Sequence, residues 1–472
     1  MGSLAGQTLP GSFAGGLAAD SSGRSVVKAI VGLLWAMALW RSWECQGLFA
    51  DGSVYFLDIV MRGGFAGGGD YARAYANVVT QAPAVLAVKL GVNDLHCLAR
   101  LYSLGLFGVP TALYSFALVR AGRDLLVLAA TLAAIAIVFM STSFIIIAQH
   151  NTAYACAILA AVWLATTSEL HARDGFVLVA IAALAVRSYE HFVYLGPLLG
   201  LMVLWTIARA PAKPWCATAL YGIAAALLLV GGCVAAESIV ALDAVEEERA
   251  YMAAVLVDAL NFRFNIQLDL LLVAAAGMAI WSLLRPDDLR GRWPYFAASL
   301  VLLLVAASPA LVVIKALVAP PYSWSQISSR TVAGPLAASF VVFVWLHASG
   351  RVFGLAVPSV LKEPRVARRL VVLAAAMVVA TMPWNVMLTG LYKRYLEVVR
   401  TTIRTQSGPI DIEDAIFERH PQLYHNDIAP SALSLIMRTS PTDGVLTNTV
   451  KNPADWADPT VPPDLGPFVW RD

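Results

Sequence analysis

The sequence predicts an all-α protein that crosses a membrane about eleven times. Hydrophobic residues occupy 59% of the 472 positions, charged residues occupy only 14%, and the mean hydropathy is +0.70. A soluble domain of this length needs a far more charged surface. Lys and Arg also concentrate in every second gap between the apolar stretches, which is the pattern of a multi-pass membrane protein.

The predicted crossings follow one another along the chain. Each needs about 20 mostly apolar residues, and they lie near 26–42, 98–119, 124–147, 152–168, 175–190, 192–209, 215–236, 265–284, 294–315, 331–349 and 370–390. The fifth stretch is the weakest, because its apolar run is short and ends in polar residues. Since Arg173 and Arg209 both favour the same side of the membrane, two crossings must lie between them.

The basic residues also predict the orientation of the chain. Lys and Arg stay on the cytoplasmic face, so the basic gap 351–369 lies inside, the N-terminus is cytoplasmic and the C-terminus is periplasmic. This is the expected arrangement in a bacterial inner membrane. Residues 1–25, rich in Gly, Ala and Ser, predict a disordered cytoplasmic tail before the transmembrane domain 26–390. Residues 391–472 predict a small extracytoplasmic region, with a helix to about Thr405.

The first outer loop, residues 43–97, carries the most information. Apolar residues recur at helical spacing within 52–62 and again within 76–91, and both stretches are too short or too polar to span. They predict two interfacial helices joined by a Gly-rich hinge at 63–70. Asp51 lies where the N-cap of the first helix belongs. It is therefore a candidate N-cap and, at the membrane surface among aromatic residues, a candidate catalytic base.

A first crossing from the cytoplasm, then a long outer loop of two interfacial helices that opens with an acidic residue, resembles the GT-C superfamily of integral-membrane glycosyltransferases. Members take sugars from polyprenyl-phosphate or polyprenyl-diphosphate donors. An acidic residue of the first outer loop serves as their base. The resemblance spans about residues 26–390 and implies that role for Asp51, with Asp58 as a second candidate.

The chain departs from that superfamily in the next outer loop. Many members carry a second acidic motif there, often tied to a divalent metal. Here the loop is Gln149-His150-Asn151, without a carboxylate. The sequence therefore favours chemistry without a metal or other cofactor.

The charged residues after the fifth apolar stretch are candidate substrate-binding groups. Arg187, Glu190 and His191 have the spacing of one helical face, and His150 belongs to the same outer surface. Charges at a membrane boundary are costly unless they are paired or functional. The alternative is an Arg187–Glu190 pair that only anchors a helix end.

Lys315 and Arg330 are the other candidates for binding the donor phosphate. Lys315 ends one apolar stretch and Arg330 opens the next, with an aromatic loop between them. Departure of a lipid phosphate needs cationic stabilisation. Alternatively, both side chains extend to lipid headgroups. The scarcity of basic residues on this face favours the first interpretation.

The five cysteines lack the spacing of a metal or redox site. Cys45 and Cys97 flank the first outer loop, and whether they pair stays open. The chain has no P-loop and no serine-hydrolase motif. No basic and aromatic patch predicts a nucleic-acid partner.

These observations predict a glycosyltransferase that moves a sugar from a polyprenyl-phosphate donor to an acceptor on the outer face of the membrane. The acceptor is an unidentified glycan, lipid or protein. The alternatives are a transporter or flippase of lipid-linked glycans, or a non-catalytic relative of the same scaffold. Transporters place polar, broken helices near the bilayer midplane. Here the polar residues concentrate at the outer boundary of the membrane. This favours a reaction at the membrane surface over transport across the membrane.

Overall fold

The computed structural model is almost entirely helical. It describes residues 21–66, 73–142, 149–240, 266–316, 325–350, 355–412, 430–440, 442–447 and 465–471. The described helices are α1 (Ser21–Trp43), α2 (Asp51–Arg62), α3 (Ala74–Lys89), α4 (Leu95–Ala121), α5 (Leu125–Ala134), α6 (Gln149–Ala165), α7 (Ala172–Ala185), α8 (Phe192–Arg209), α9 (Trp215–Val240), α10 (Ile266–Leu284), α11 (Trp293–Ala316), α12 (Ser325–Ser349), α13 (Pro364–Ala380), α14 (Met382–Thr405) and α15 (Pro430–Met437). Two short strands, β1 (Pro409–Asp411) and β2 (Val445–Thr447), pair in parallel.

The fold is that of an α-helical, multi-pass membrane protein. Within the described ranges, eight helical segments are long and apolar enough to cross a membrane. α6 and α7 have only 17 and 14 residues, and α5 with its continuation is also short. The predicted total of eleven crossings therefore remains a prediction. α1 begins at Ser21, five residues before the predicted start of the first crossing, and α14 ends at Thr405 as expected.

The bundle has two chemically different ends. The loop end carries the first outer loop, and the basic end carries residues 285–292 and 355–369. α5 begins at the basic end, where Asp124 bonds to His347. Its π-helical continuation, Ile135–Met140, reaches the loop end. α5 and this continuation together connect the two ends.

The two other short helices also run from end to end. Gln149, at the start of α6, donates to Asn77 of the first loop at 2.6 Å, while Thr166, just after α6, accepts from Arg120 at 2.8 Å. α7 begins beside the same Arg120 at the basic end and runs back to the loop end. The carbonyl of Arg187, two residues beyond α7, then accepts from the first N–H groups of α3.

The C-terminal region packs onto the first loop at the loop end. The two share one apolar core, in which Phe49 and Tyr392 meet edge to face with ring centroids 5.7 Å apart. Leu95, the first residue of α4, donates to the Val469 carbonyl at 3.0 Å, and the His96 and Trp470 rings stack at 4.7 Å. The ends of α1 and α14 therefore lie at the same end of the bundle.

The first loop forms two helices, as its apolar spacing predicts. α2 and α3 occupy 51–62 and 74–89, and the part of the expected hinge at 67–72 lies outside the described residues. α3 lies directly against α4, because a side chain at Gly105 would overlap the Thr80 backbone carbonyl. Only glycine permits this close approach of the two helices. The same contact holds the first loop on the bundle.

Candidate active site

The candidate site forms where the first loop meets the turn between α7 and α8. The N–H groups of Tyr75 and Ala76 donate to the Arg187 carbonyl at 2.9 and 3.4 Å. The first N–H groups of a helix have no partner within it, so α3 obtains one from the facing turn. This contact fixes the start of α3 against the turn.

The predicted helical face of Arg187, Glu190 and His191 is wrong. α7 ends at Ala185, and the following residues form a turn before α8. The physical reason is a tertiary contact: α3 occupies the Arg187 carbonyl that the next helical turn would use. These three side chains are nevertheless close together, because the turn is short.

Glu190 pairs with the first loop rather than with Arg187. Arg73 Nε donates to Glu190 Oε1 at 2.6 Å, and the two side chains are 28% and 19% exposed. Arg73 also lies 5.4 Å from the Tyr189 ring centroid, while Arg187 lies 5.8 Å from that of Tyr75. Two guanidinium groups and one carboxylate of the described residues therefore meet at the junction.

A histidine–tyrosine cluster lies beside this junction and consists of His150, Tyr154, Tyr189, His191 and Tyr194. The His191 ring centroid is 5.1 Å from that of Tyr189 and 5.7 Å from that of Tyr194. The His150 ring lies 5.9 Å from both Tyr154 and Tyr189. Tyr154 and His191 share a hydrogen bond between hydroxyl and Nδ1. Such rings combine apolar faces with polar edges, which suits them to contact with sugars and anions.

α12 closes one side of the cluster. A side chain at Gly334 would overlap both the His191 imidazole and the Tyr194 hydroxyl. α12 therefore approaches the turn at van der Waals distance. Arg330 precedes Gly334 by about one helical turn on α12, toward the loop end. The side chains of Arg330 and of Lys315, at the end of α11, lie outside the described residues.

Asp51 belongs to a second group of contacts on the α4 side of the first loop. It is the first residue of α2 and half-buried, and Ala50 occupies the N-cap position. The prediction of Asp51 as N-cap is therefore wrong, because the preceding residue makes the turn. A Cβ at the adjacent Gly52 would lie 3.9 Å from the Tyr102 ring, and Asp51 interacts electrostatically with the phenol of Tyr102.

The backbone before Asp51 is conformationally unusual. Cys45 and Ala50 are the two non-glycine residues with positive φ in the described chain, at 53° and 52°. Residues other than glycine rarely adopt this region, and such strain concentrates at functional sites. The conformation brings Asp51 to the start of α2 with its carboxylate near the positive end of that helix.

Asp58 lies about two turns further along α2 and is engaged locally. Its Oδ1 is 2.5 Å from Arg62 Nε, in a pair four residues apart on one helix. Arg62 is 70% exposed, so solvent screens this pair. Asp58 therefore makes the contact expected of a surface residue, and Asp51 is the better candidate of the two.

Two residues of the loop end were not predicted from the sequence. Arg41 of α1 is buried, and its guanidinium bonds to Asn385 of α14 and lies 5.3 Å from the Phe107 ring centroid. Asn385 Nδ2 donates in turn to the Met140 carbonyl at 3.1 Å. A basic residue at the end of an apolar stretch was the available signal, since charge within a membrane is usually functional. Arg73 had no such signal, because its partner is 117 residues away.

The cysteines of the loop end are not joined in the structure. Both Cys45 and Cys97 are free; Cys45 is buried and Cys97 is exposed. Burial raises the pKa of the Cys45 thiol to about 12. The thiol is therefore protonated and unreactive at neutral pH.

The chemistry of the described side chains is that of anion binding and proton transfer. No group of three or more His, Cys, Asp or Glu residues within the described ranges has the arrangement of a metal site. Comparison with protein-family models, with curated proteins and with solved structures finds no match for this chain. The arrangement of residues at the loop end is therefore the basis for assigning a function.

Proposed function

We propose that the protein is a glycosyltransferase of the GT-C type that uses a polyprenyl-phosphate sugar donor. In this proposal the loop end faces the periplasm of a bacterial inner membrane, and the chain crosses that membrane eleven times. The donor lies in the bilayer with its phosphate at the loop end. The acceptor is a hydroxyl group of a glycan, lipid or protein.

The end-to-end course of the three short helices supports the eleven crossings. α1 and α14 finish at the same end, so an even number of crossings must separate them. Counting only the seven long segments after α1 leaves an odd number. Adding α5, α6 and α7 gives ten, which agrees with the shared core of the first loop and the C-terminal region.

The observation that carries the proposal is the junction of α3 with the α7–α8 turn. Through the Arg73–Glu190 pair and the Arg187 carbonyl, the loop that contains Asp51 is tied to a surface that carries arginine and histidine side chains. A glycosyltransferase that uses a lipid phosphate needs both features at one face of the membrane.

The proposed reaction is one displacement at the anomeric carbon. Asp51 accepts the proton of the acceptor hydroxyl as that oxygen forms the new glycosidic bond. The bond from the anomeric carbon to the phosphate oxygen breaks, and its electron pair leaves with the lipid phosphate. Arg187 and His191 stabilise the charge that develops on this phosphate, with Arg330 one turn from the cluster as a further cation.

The test is sugar transfer by purified protein in liposomes. A panel of ¹⁴C-labelled polyprenyl-phosphate hexoses and pentoses is offered together with a membrane extract as the source of acceptors. Asp51→Asn keeps the shape of the side chain but removes the base, so we expect transfer to decrease by roughly 10²–10⁴-fold. Arg187→Gln should instead weaken binding of polyprenyl phosphate, measured separately by native mass spectrometry.

Asp58→Asn is the matched control, since it changes an acidic residue of the same helix that is already paired with Arg62. We expect it to retain most of the activity. Equal losses in the two Asn variants would contradict the role of Asp51. Wild-type protein that neither binds polyprenyl phosphate nor transfers any sugar of the panel would contradict the proposed function.

A further inference from the structure

A pocket lies at the basic end of the bundle, remote from the candidate site. It forms where the last turns of α6, α8 and α12 meet, and its volume is about 270 Å³. Thr166, just after α6, accepts from Arg120, and His347, near the end of α12, bonds to Asp124, which places both helix ends at the basic end. The volume is slightly below the range of about 300–1,000 Å³ for pockets that hold drug-sized molecules. A ligand of the size of a monosaccharide therefore suits it.

Two tryptophans form one wall of the pocket. The rings of Trp205 on α8 and Trp345 on α12 meet edge to face, with their centroids 6.3 Å apart at an angle of 74°. Trp345 is 7% exposed and belongs to the core, whereas Trp205 is 39% exposed. Trp205 therefore offers ring surface to a ligand. A flat aromatic ring of this kind packs well on the C–H face of a sugar ring.

Arg209 ends α8 one turn after Trp205 and lies beside this wall. Its guanidinium is 5.6 Å from the Trp205 ring centroid, and Nη1 donates to the Ser349 carbonyl at 2.8 Å. These two contacts fix the group in place. A guanidinium carries several N–H donors, and in the described part of the chain the Ser349 carbonyl is the acceptor that it meets. Arg209 can therefore donate to a ligand as well.

Several other polar groups of the pocket are acceptors. The Thr206 hydroxyl donates to the Met202 carbonyl at 2.8 Å, and the Ser349 hydroxyl donates to the Trp345 carbonyl at 2.6 Å. Since each hydroxyl proton is used in this way, the hydroxyl oxygen offers its lone pairs to a ligand. The carboxylate of Glu169 also lines the pocket, and its side chain is 67% exposed.

The combination of donors and acceptors selects the class of ligand. A phosphate offers acceptors alone, and both Glu169 and the negative ends of three helix dipoles would repel it. An organic cation would meet Arg209, which already lies at the Trp205 ring. A neutral sugar has hydroxyl groups that both donate and accept, and it has an apolar face as well. Of these three classes, the sugar is the one that matches every group named above.

We propose that this pocket binds one neutral monosaccharide unit. The sugar ring lies on Trp205, and its hydroxyl groups accept from Arg209. The same hydroxyl groups donate to Thr206, Ser349 and Glu169. The site is separate from the sugar-transfer chemistry proposed for the loop end and does not depend on it.

Equilibrium dialysis of the whole chain tests the proposal. The protein is kept in a polyoxyethylene detergent, because maltoside detergents carry a sugar headgroup that would compete for the pocket. ¹⁴C-labelled glucose, mannose, galactose, arabinose and xylose are offered singly. Inorganic phosphate and tetramethylammonium serve as the anionic and cationic probes. We expect at least one sugar to bind saturably, with one molecule per chain, and neither ion to compete with it.

Three variants each remove one contact with the sugar. Trp205→Ala removes the ring and should reduce binding below detection. Arg209→Gln removes the charged donor and should weaken binding by roughly 10–100-fold, as for hydrogen bonds to a charged group. Thr206→Val keeps the shape of the side chain without its hydroxyl and should weaken binding by roughly 5-fold. Elution volume and thermal midpoint of each variant show that it is folded.

The controls are Trp215→Ala and Arg123→Gln, which change an exposed tryptophan and an exposed arginine outside the pocket lining. Both should bind the sugar as the wild type does, and an equal loss in either control would overturn the proposal. Binding of phosphate or tetramethylammonium in place of sugar, or of no probe at all, would overturn it too. Unchanged affinity in Trp205→Ala or in Arg209→Gln would assign the sugar to another site and have the same consequence.

Discussion

The two ends of the bundle use charged residues in different ways. At the basic end the Arg290–Glu363 pair is exposed: its two side chains are 56% and 37% exposed, although their atoms approach to 2.5 Å. At the loop end Arg41 is only 1% exposed, and it donates a hydrogen bond to the neutral side chain of Asn385. Exposed pairs contribute about 0–1 kcal/mol, whereas breaking a buried bond to a charged group costs about 1.5–3 kcal/mol.

This difference indicates which end of the bundle carries the function. The Arg290–Glu363 pair connects two segments and meets solvent, so many arrangements would serve. At the loop end the protein buries polar groups at a free-energy cost, and this cost needs a compensating role. The predictions below test this contrast, beginning with the largest expected effect.

Gly105→Ala should destabilise the loop end most. Its new methyl group meets the Thr80 backbone carbonyl, so α3 must move away from α4. We expect a loss of about 3 kcal/mol in the free energy of unfolding, as for strong overpacking, measured by denaturant titration in detergent. Gly277→Ala on α10 is the control, since no atom lies within 4 Å of its new Cβ. An equal change in both variants would show that helix propensity, and not the contact, decides the result.

Asn385→Ala should cost about 2 kcal/mol, because it removes a hydrogen-bond acceptor of the buried Arg41. The same assay with Glu363→Ala at the basic end should show a much smaller loss, because solvent screens this exposed pair. Comparing the two losses in unfolding free energy shows how much more the buried bond contributes than the exposed pair. A larger loss for Glu363→Ala would reverse our comparison.

Glu190→Gln should have an intermediate effect of about 1 kcal/mol, because the Arg73–Glu190 pair is only partly shielded from solvent. Its effect on transfer should exceed its effect on stability, since the pair fixes the first loop against the α7–α8 turn. Transfer rate and unfolding free energy are measured on the same preparation. A stability loss without any change in transfer would mean that the junction is only structural.

The smallest expected effect is the pH dependence of the basic end. Burial raises the pKa of Asp124, but the hydrogen bond to His347 and those from the Leu126 and Val127 N–H groups outweigh it, so the pKa is lowered. A lowered pKa in the folded state stabilises the fold above the unfolded value of 3.8, and this stability is lost as the pH decreases through the folded value. Asp124→Asn should therefore reduce the acid sensitivity of unfolding below about pH 4. An unchanged pH profile would contradict this role.

The local features of the loop end followed from residue order. The apolar spacing within 52–62 and 76–91 predicts two helices, and α2 and α3 occupy nearly those residues. Helical spacing depends on neighbours three and four residues apart, which a sequence displays directly. The roles of Asp51, Lys315 and Arg330 stay predictions, because they depend on where a substrate binds.

The errors arose where distant segments compete for local groups. Arg187, Glu190 and His191 have helical spacing, yet the start of α3 takes the Arg187 carbonyl and Arg73 takes the Glu190 carboxylate. Asp51 has the composition of an N-cap, yet the backbone at Ala50 provides the turn. In the first case a long-range contact decides between conformations of similar local energy, and in the second the local backbone at Ala50 does.

Composition and the spacing of apolar residues are sufficient to predict a helical membrane protein, because burial of apolar side chains in lipid depends on these two properties. Only the tertiary structure decided which polar groups meet: Arg73 with Glu190, Arg41 with Asn385, and the histidines with the tyrosines beside Gly334. The physical reason is that hydrogen bonds and ion pairs depend on distances of a few ångströms. Those distances arise only when segments that are separated in the chain pack together, from 37 residues for Tyr154 and His191 to 344 for Arg41 and Asn385.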